Sequence, residues 1–107
     1  VKLVYICSKY RGNVEENLKF AYLAGRYAID KGCIPIIPHA YLTKCLNDNI
    51  PEEREKGIEL GLKLIDKCDE LWVCGNTISE GMQREIEYAQ KNGTTIVYSK
   101  CWFEVKG

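Results

Sequence analysis

The chain has 107 residues, 46% hydrophobic and 28% charged, enough for one packed core and too short for two. Lys plus Arg total 15 and Asp plus Glu total 15, so the formal net charge is zero, and no electrostatic ground exists for binding nucleic acid or an anionic lipid surface. No apolar run nears the roughly 20 residues that span a bilayer. Val1-Lys2 leads directly into a strand-like run with no leader pattern, so the expectation is a cytoplasmic protein without a membrane partner.

The first run, Lys2-Leu3-Val4-Tyr5-Ile6-Cys7-Ser8, is β-branched and apolar at successive positions, as in a parallel strand covered on both faces. After the polar turn Lys9-Tyr10-Arg11-Gly12, Asn13 and Glu16 have capping-box spacing and predict a helix stopped by Gly32. Its inward stripe reads Leu18, Ala21, Tyr22, Gly25, Ala28 and Ile29. Cys33-Ile34-Pro35-Ile36-Ile37 is a second strand, placed near a sheet edge because Pro35 has no N–H to give a ladder. Pro38-His39-Ala40-Tyr41 leaves it as a loop, and residues 41–49 have room for one helical turn.

Pro51 suits the first position of the next helix, with Glu52 and Glu53 complementing its dipole. Ile58, Gly61, Leu62 and Ile65 repeat at helical spacing, and the helix should end near Cys68-Asp69; Glu52 to Lys56 reads as its solvated start. Leu71-Trp72-Val73-Cys74 is a third buried strand. The turn Gly75-Asn76-Thr77-Ile78 follows, then Ser79 as N-cap of a helix reaching Lys91-Asn92-Gly93. Thr94 to Tyr98 is a fourth strand, and Cys101-Trp102-Phe103-Glu104-Val105 is an edge strand or a docking segment.

This alternation predicts an α/β three-layer sandwich, flavodoxin- or Rossmann-like, with a mostly parallel sheet of four to five strands in the order 2-1-3-4(-5). Ligands of such sheets sit beyond the carboxyl ends of the strands at the switch point, here the first and third. The loops meeting there run from Ser8 to Asn13 and from Gly75 to Gly81. They supply Ser8, Arg11, Gly12, Gly75, Ser79 and Gly81, with Met82 just beyond, as candidate ligand contacts. The Gly75–Gly81 loop has neither Walker nor dinucleotide spacing.

Six cysteines in a short chain suggest a disulfide scaffold, but Cys7 and Cys74 lie in strand-like runs and no C-x-x-C pair exists, so reduced thiols are expected. With His39 the single histidine, no two-pair zinc site can be assembled and no metal is expected. In the last helix Met82, Ile86 and Ala89 form the inward stripe while Glu85 takes the i+3 slot. A carboxylate on an apolar face needs a dedicated donor or opens into a pocket as a nucleophile or base; the alternative is an edge Glu paired with Arg84, Lys91 or another exposed cation. Tyr5, inside a buried strand, needs a hydroxyl partner, and a carboxylate across the switch point would serve. Ser79 is either a ligand contact or a plain cap, Arg11 a ligand cation or a solvated arginine, and His39 a ligand contact or proton carrier.

Val4-Tyr5-Ile6-Cys7-Ser8 with Arg11-Gly12, then Cys68-Asp69-Glu70-Leu71-Trp72-Val73, then Ser79 through Ala89 (SEGMQREIEYA) resemble the nucleoside 2-deoxyribosyltransferase superfamily, which includes 2'-deoxynucleoside 5'-phosphate N-hydrolases. The resemblance implies one domain over residues 1–107, a nucleophilic glutamate at Glu85 and an orienting tyrosine at Tyr5. It also implies a small nucleoside or 5'-phosphorylated ligand near Ser79 and Arg11, no cofactor, and a homodimer or higher homo-oligomer. One position departs: the superfamily's acidic residue on the preceding helix falls on Gly61, with Glu59 a substitute only if the helix is shifted. Cleavage or transfer at an N-glycosidic bond is the implied activity. A nucleotide or nucleotide-signal binder without efficient catalysis, or an assembly module using Trp102 and Phe103, are the competing readings.

Overall fold

The computed structural model describes residues 1–99. Four parallel strands, β1 (Leu3–Cys7), β2 (Ile34–Ile36), β3 (Glu70–Cys74) and β4 (Thr95–Ser99), form one sheet in the order β2-β1-β3-β4. The helices are α1 (Val14–Asp30), α2 (Leu42–Cys45), α3 (Pro51–Ile65) and α4 (Glu80–Lys91), with a 3-10 turn over Pro38–Ala40. This is the expected α/β sheet and strand order. The segment Cys101 to Val105, a candidate fifth strand or docking segment, lies outside the described residues, as do Trp102 and Phe103.

Strand alternation divides the core in two. Val4, Ile6, Trp72 and Cys74 point to one face and pack with Ala24 and Ala28 of α1. Tyr5, Cys7, Leu71 and Val73 point to the other, against Ile65 of α3 and Met82, Ile86 and Ala89 of α4. The sheet is therefore covered on both sides, which is why its central strands read as unbroken apolar runs. Pro35 sits on edge strand β2, paired with Val4.

The α1 stripe keeps Ala21, Gly25 and Ala28 of the sequence expectation but not Tyr22 and Ile29. Ala21, Ala24, Gly25 and Ala28 are buried, whereas Tyr22 is 49% and Ile29 56% exposed. Small residues let the helix lie close to the sheet: a Cβ on Gly25 would come 2.8 Å from Ile37 Cδ1, so the larger side chains turn outward. The start of α1 follows the reading, with Asn13 Oδ1 accepting from Glu16 N at 3.2 Å. α3 stops at Ile65, three residues short of Cys68, because i→i+3 bonds from Asp66, Lys67 and Cys68 tighten its end. Ser79 caps α4, its Oγ accepting from Met82 N at 3.2 Å. Among the described residues no helix is long and apolar enough to cross a membrane.

Candidate functional site

Residue 85 is carried inward by its neighbours. Met82, Ile86 and Ala89 are buried against the sheet, so the turn between them holds Glu85 on the same side of α4, one helical turn past Met82. Across from it, Tyr5 projects from β1 into the same layer, and its Oη donates to Glu85 Oε2 at 2.7 Å. Neither Arg84 nor Lys91 pairs with this carboxylate, so the edge-residue alternative does not hold among the described residues. Burial pushes the Glu85 carboxyl up to about 7; the hydrogen bond from Tyr5 and the neighbouring Cys7 thiol act in the opposite sense. The Tyr5 hydroxyl is raised well above its ordinary range by burial and by the neighbouring Glu85. Burial likewise raises the Cys7 thiol, which points to the Met82 carbonyl at 3.8 Å.

Glu85 and Tyr5 open into a cavity of about 370 Å³ lined by the segments that follow β1 and β2, by α3 and by the start of α4. Of the ten residues singled out in the sequence, Tyr5, Ser8, Arg11 and His39 line it from the β1 and β2 loops, and Ser79, Gly81, Met82 and Glu85 from α4. Gly12 and Gly75 do not. Both have positive φ (103° and 108°), and each serves to turn the chain; a Cβ on Gly75 would face Phe20 of α1 in the opposite layer. Ser79 lines the cavity while also capping α4.

The β1 loop is held firmly. Asn17 Nδ2 donates to the Tyr10 and Arg11 carbonyls at 3.0 and 3.1 Å. The His39 ring stacks on Tyr10, with centroids 4.8 Å apart, and its Nε2 lies 3.2 Å from the Ser8 carbonyl. A carbonyl only accepts, so Nε2 carries the hydrogen and Nδ1 is left as an acceptor. Burial lowers the His39 pKa below 6.5, against the Ser8 bond and Asp48, so the ring is neutral at pH 7. Ser8 is 2% exposed and its Oγ has no hydrogen-bond partner among the described residues, although it lines the cavity.

Of the opposite wall, Ile58, Gly61 and Leu62 repeat at helical spacing in the sequence, but nothing there marks them as lining a cavity. Two adjacent i, i+4 rows of α3, Glu53-Gly57-Gly61 and Arg54-Ile58-Leu62, face the cavity together with Leu42 and Leu46 from the α2 region. Glu52 to Lys56 is thus more than a solvated start: Glu53 Oε1 accepts from Asn47 N at 2.6 Å, and Arg54 lines the pocket. The signal was the Gly57/Gly61 and Ile58/Leu62 spacing, obscured by the charge run before it. A Cβ at Gly61 would lie 3.2 Å from Tyr5 Oη, so this glycine stands directly beside the Tyr5–Glu85 pair. Glu59 does not replace an acid there; it pairs with Lys56 at 3.6 Å on the exposed side of α3. Among the described residues no three His, Cys, Asp or Glu side chains gather to hold a metal, and the five described cysteines are free thiols, with Cys7 and Cys74 buried and Cys45 exposed.

One domain-family model matches the chain along almost its whole length. The chain belongs to DUF7768, a domain family of unknown function, whose model matches residues 2–99. No curated protein matches the sequence. Among solved structures it is similar to a 2-desoxiribosyltransferase from Leishmania mexicana, with a TM-score of 0.65 and 17% identity over 94% of this chain and 65% of that one. At that identity the likeness is one of fold, and the chain spans less than two thirds of that protein's length.

Proposed function

We propose that the protein cleaves or transfers the glycosyl group at the N-glycosidic bond of a nucleoside, deoxynucleoside or nucleoside 5'-monophosphate, with Glu85 as nucleophile. The observation that carries this reading is the Tyr5–Glu85 pair: a desolvated carboxylate, fixed at 2.7 Å by a phenol and open to a cavity. The fold shared with a 2-desoxiribosyltransferase supports it. Ionised Glu85 attacks the anomeric carbon through an oxocarbenium-like transition state, giving a glycosyl ester that water or a second base resolves, as in retaining glycosidases. Tyr5 orients the attacking carboxylate. Ser79, Arg11 and the orphan Ser8 hydroxyl line the same cavity, and in this reading they hold the sugar or its 5'-phosphate. The chemistry itself requires no cofactor.

A second reading is kept because of Gly61: a nucleotide-binding protein that retains the crevice without efficient turnover. Glu85→Gln separates the two. Incubation with deoxynucleosides and their 5'-monophosphates, with and without a second free base, should release or exchange base in the wild type and lose it by orders of magnitude in the variant. Saturable nucleotide binding without turnover, unchanged within a few-fold in Glu85→Gln, would favour the binder.

A further inference from the structure

The hydrogen-bond donors nearest Glu85 are already committed. The Tyr5 hydroxyl donates to Glu85 itself, and burial makes it a poorer acid than a free phenol. The Cys7 thiol is directed at the Met82 carbonyl, and His39 gives its Nε2 hydrogen to the Ser8 carbonyl while the ring is neutral. On the α3 side the residue beside the pair is Gly61, which has no proton to give, and Glu59 faces away. Glu53 is occupied by the Asn47 amide. The two other cavity carboxyls are Asp48, beside His39, and exposed Glu80, five residues before Glu85 and about 140° around the helix; neither is hydrogen-bonded to the Tyr5–Glu85 pair. Lys9 and Arg11 are exposed, at the rim of the cavity. The Ser8 hydroxyl is uncommitted, but an alcohol is too weak an acid to protonate a departing base; it suits bonding to a sugar hydroxyl or phosphate.

A neutral nucleobase leaves as an anion unless a general acid protonates it. Resting on Glu85 as nucleophile, we propose that this site takes cationic N-glycosides, whose base already carries a positive ring nitrogen, such as a pyridinium or an N7-alkylated purinium. Such a base departs neutral and needs no proton. In the first step a Glu85 carboxylate oxygen bonds to the anomeric carbon, the carbon–nitrogen bond breaks, and its electron pair quenches the charge on the ring. In the second, water adds to that carbon, the ester bond breaks with its pair returning to Glu85, and the water's proton passes to solvent. The sum is cation plus water giving sugar, neutral base and one proton. The cavity lining carries four basic side chains (Lys9, Arg11, Arg54 and Arg84) against four acidic ones (Asp48, Glu53, Glu80 and Glu85), so the feature that suits a cationic ring is the aromatic surface of the stacked Tyr10 and His39 rings together with the Glu85 carboxylate.

The test compares matched pairs on the wild-type chain and on Glu85→Gln. N7-methylguanosine and N7-methyl-2'-deoxyguanosine 5'-monophosphates, and nicotinamide mononucleotide, are incubated beside GMP and dGMP, with enzyme-free controls subtracted and released base measured by chromatography. The expected result is release from at least one cationic substrate a hundredfold or more faster than from GMP and dGMP, lost in Glu85→Gln. A smaller ratio, with activity still lost in the variant, overturns the cationic preference and leaves the nucleophile reading standing. Release that survives Glu85→Gln, or no release from any substrate, overturns both.

Discussion

Holding Glu85 where it is has a thermodynamic consequence that can be measured without any substrate. Its carboxyl is raised from an ordinary value of 4.5 to about 7, chiefly by burial. Moving an acid that far corresponds to about 3 kcal/mol in favour of the protonated form, at about 1.4 kcal/mol per pH unit. Because the folded value lies above the unfolded one, the folded state binds more protons between the two. Stability from this group is fully present below about pH 4.5 and is lost as the pH rises through about 7. Glu85→Gln keeps the shape and can still accept from Tyr5, but never ionises. The variant should therefore match the wild type at about pH 4.5 and exceed it by about 3 kcal/mol at about pH 8.5. Urea denaturation followed by tryptophan fluorescence at a series of pH values gives the difference curve, in which the separate contribution of His39 cancels because both proteins carry it. A difference that stays constant within about 1 kcal/mol across that range would refute the assignment of Glu85 as a desolvated acid.

Tyr5→Phe removes a donor to the ionised form, so the Glu85 carboxyl should rise further, and the acidic limb of the rate profile should move to higher pH with it; carboxyl NMR titration checks this, and an unmoved limb contradicts it. Ser79→Ala should lower stability by about 1 kcal/mol through loss of the α4 cap, read by denaturation, with no change expected if the 3.2 Å bond to Met82 N contributes nothing. Gly75→Ala should cost roughly 1–2 kcal/mol because its φ of 108° is hostile to a side chain. Gly81→Ala, in open space on helix α4, should instead be neutral or stabilising by up to about 1 kcal/mol in the same measurement. Ile86→Ala should cost roughly 2–5 kcal/mol, since Ile86 is buried in the α4–sheet layer.

Some of this was readable before any coordinates. The strand order followed from alternation and from Pro35, whose missing N–H fits only an edge. Glu85 stood out because a carboxylate on an otherwise apolar stripe breaks the local pattern, and Tyr5 because a buried phenol needs a partner. The α1 face was legible in part: Ala21, Gly25 and Ala28 pack inward as expected, but Tyr22 and Ile29 turn outward and Ala24 packs inward instead, because small residues permit close approach to the sheet. The α2–α3 wall was hidden for another reason. Residues 41–49 have no period to read, and the charges at 52–56 mask the two rows that turn toward the cavity.

The same patterns explain why the carboxylate stays buried despite its cost. Swinging Glu85 to solvent by rotating α4 one position, about 100°, would take Met82, Ile86 and Ala89 off the sheet together. Burial of a side chain such as Met82 or Ile86 is worth roughly 1.5–3 kcal/mol, so the pair together, with Ala89, at least matches the roughly 3 kcal/mol that favours an uncharged Glu85. Helix α4 therefore fixes the acid through its neighbours. A mutation that weakens the stripe, such as Ile86→Ala, should loosen Glu85 and lower its pKa toward 4.5. A folded Ile86→Ala protein in which Glu85 still titrated near 7 would mean that the Tyr5 bond, and not the stripe, holds the carboxylate in place.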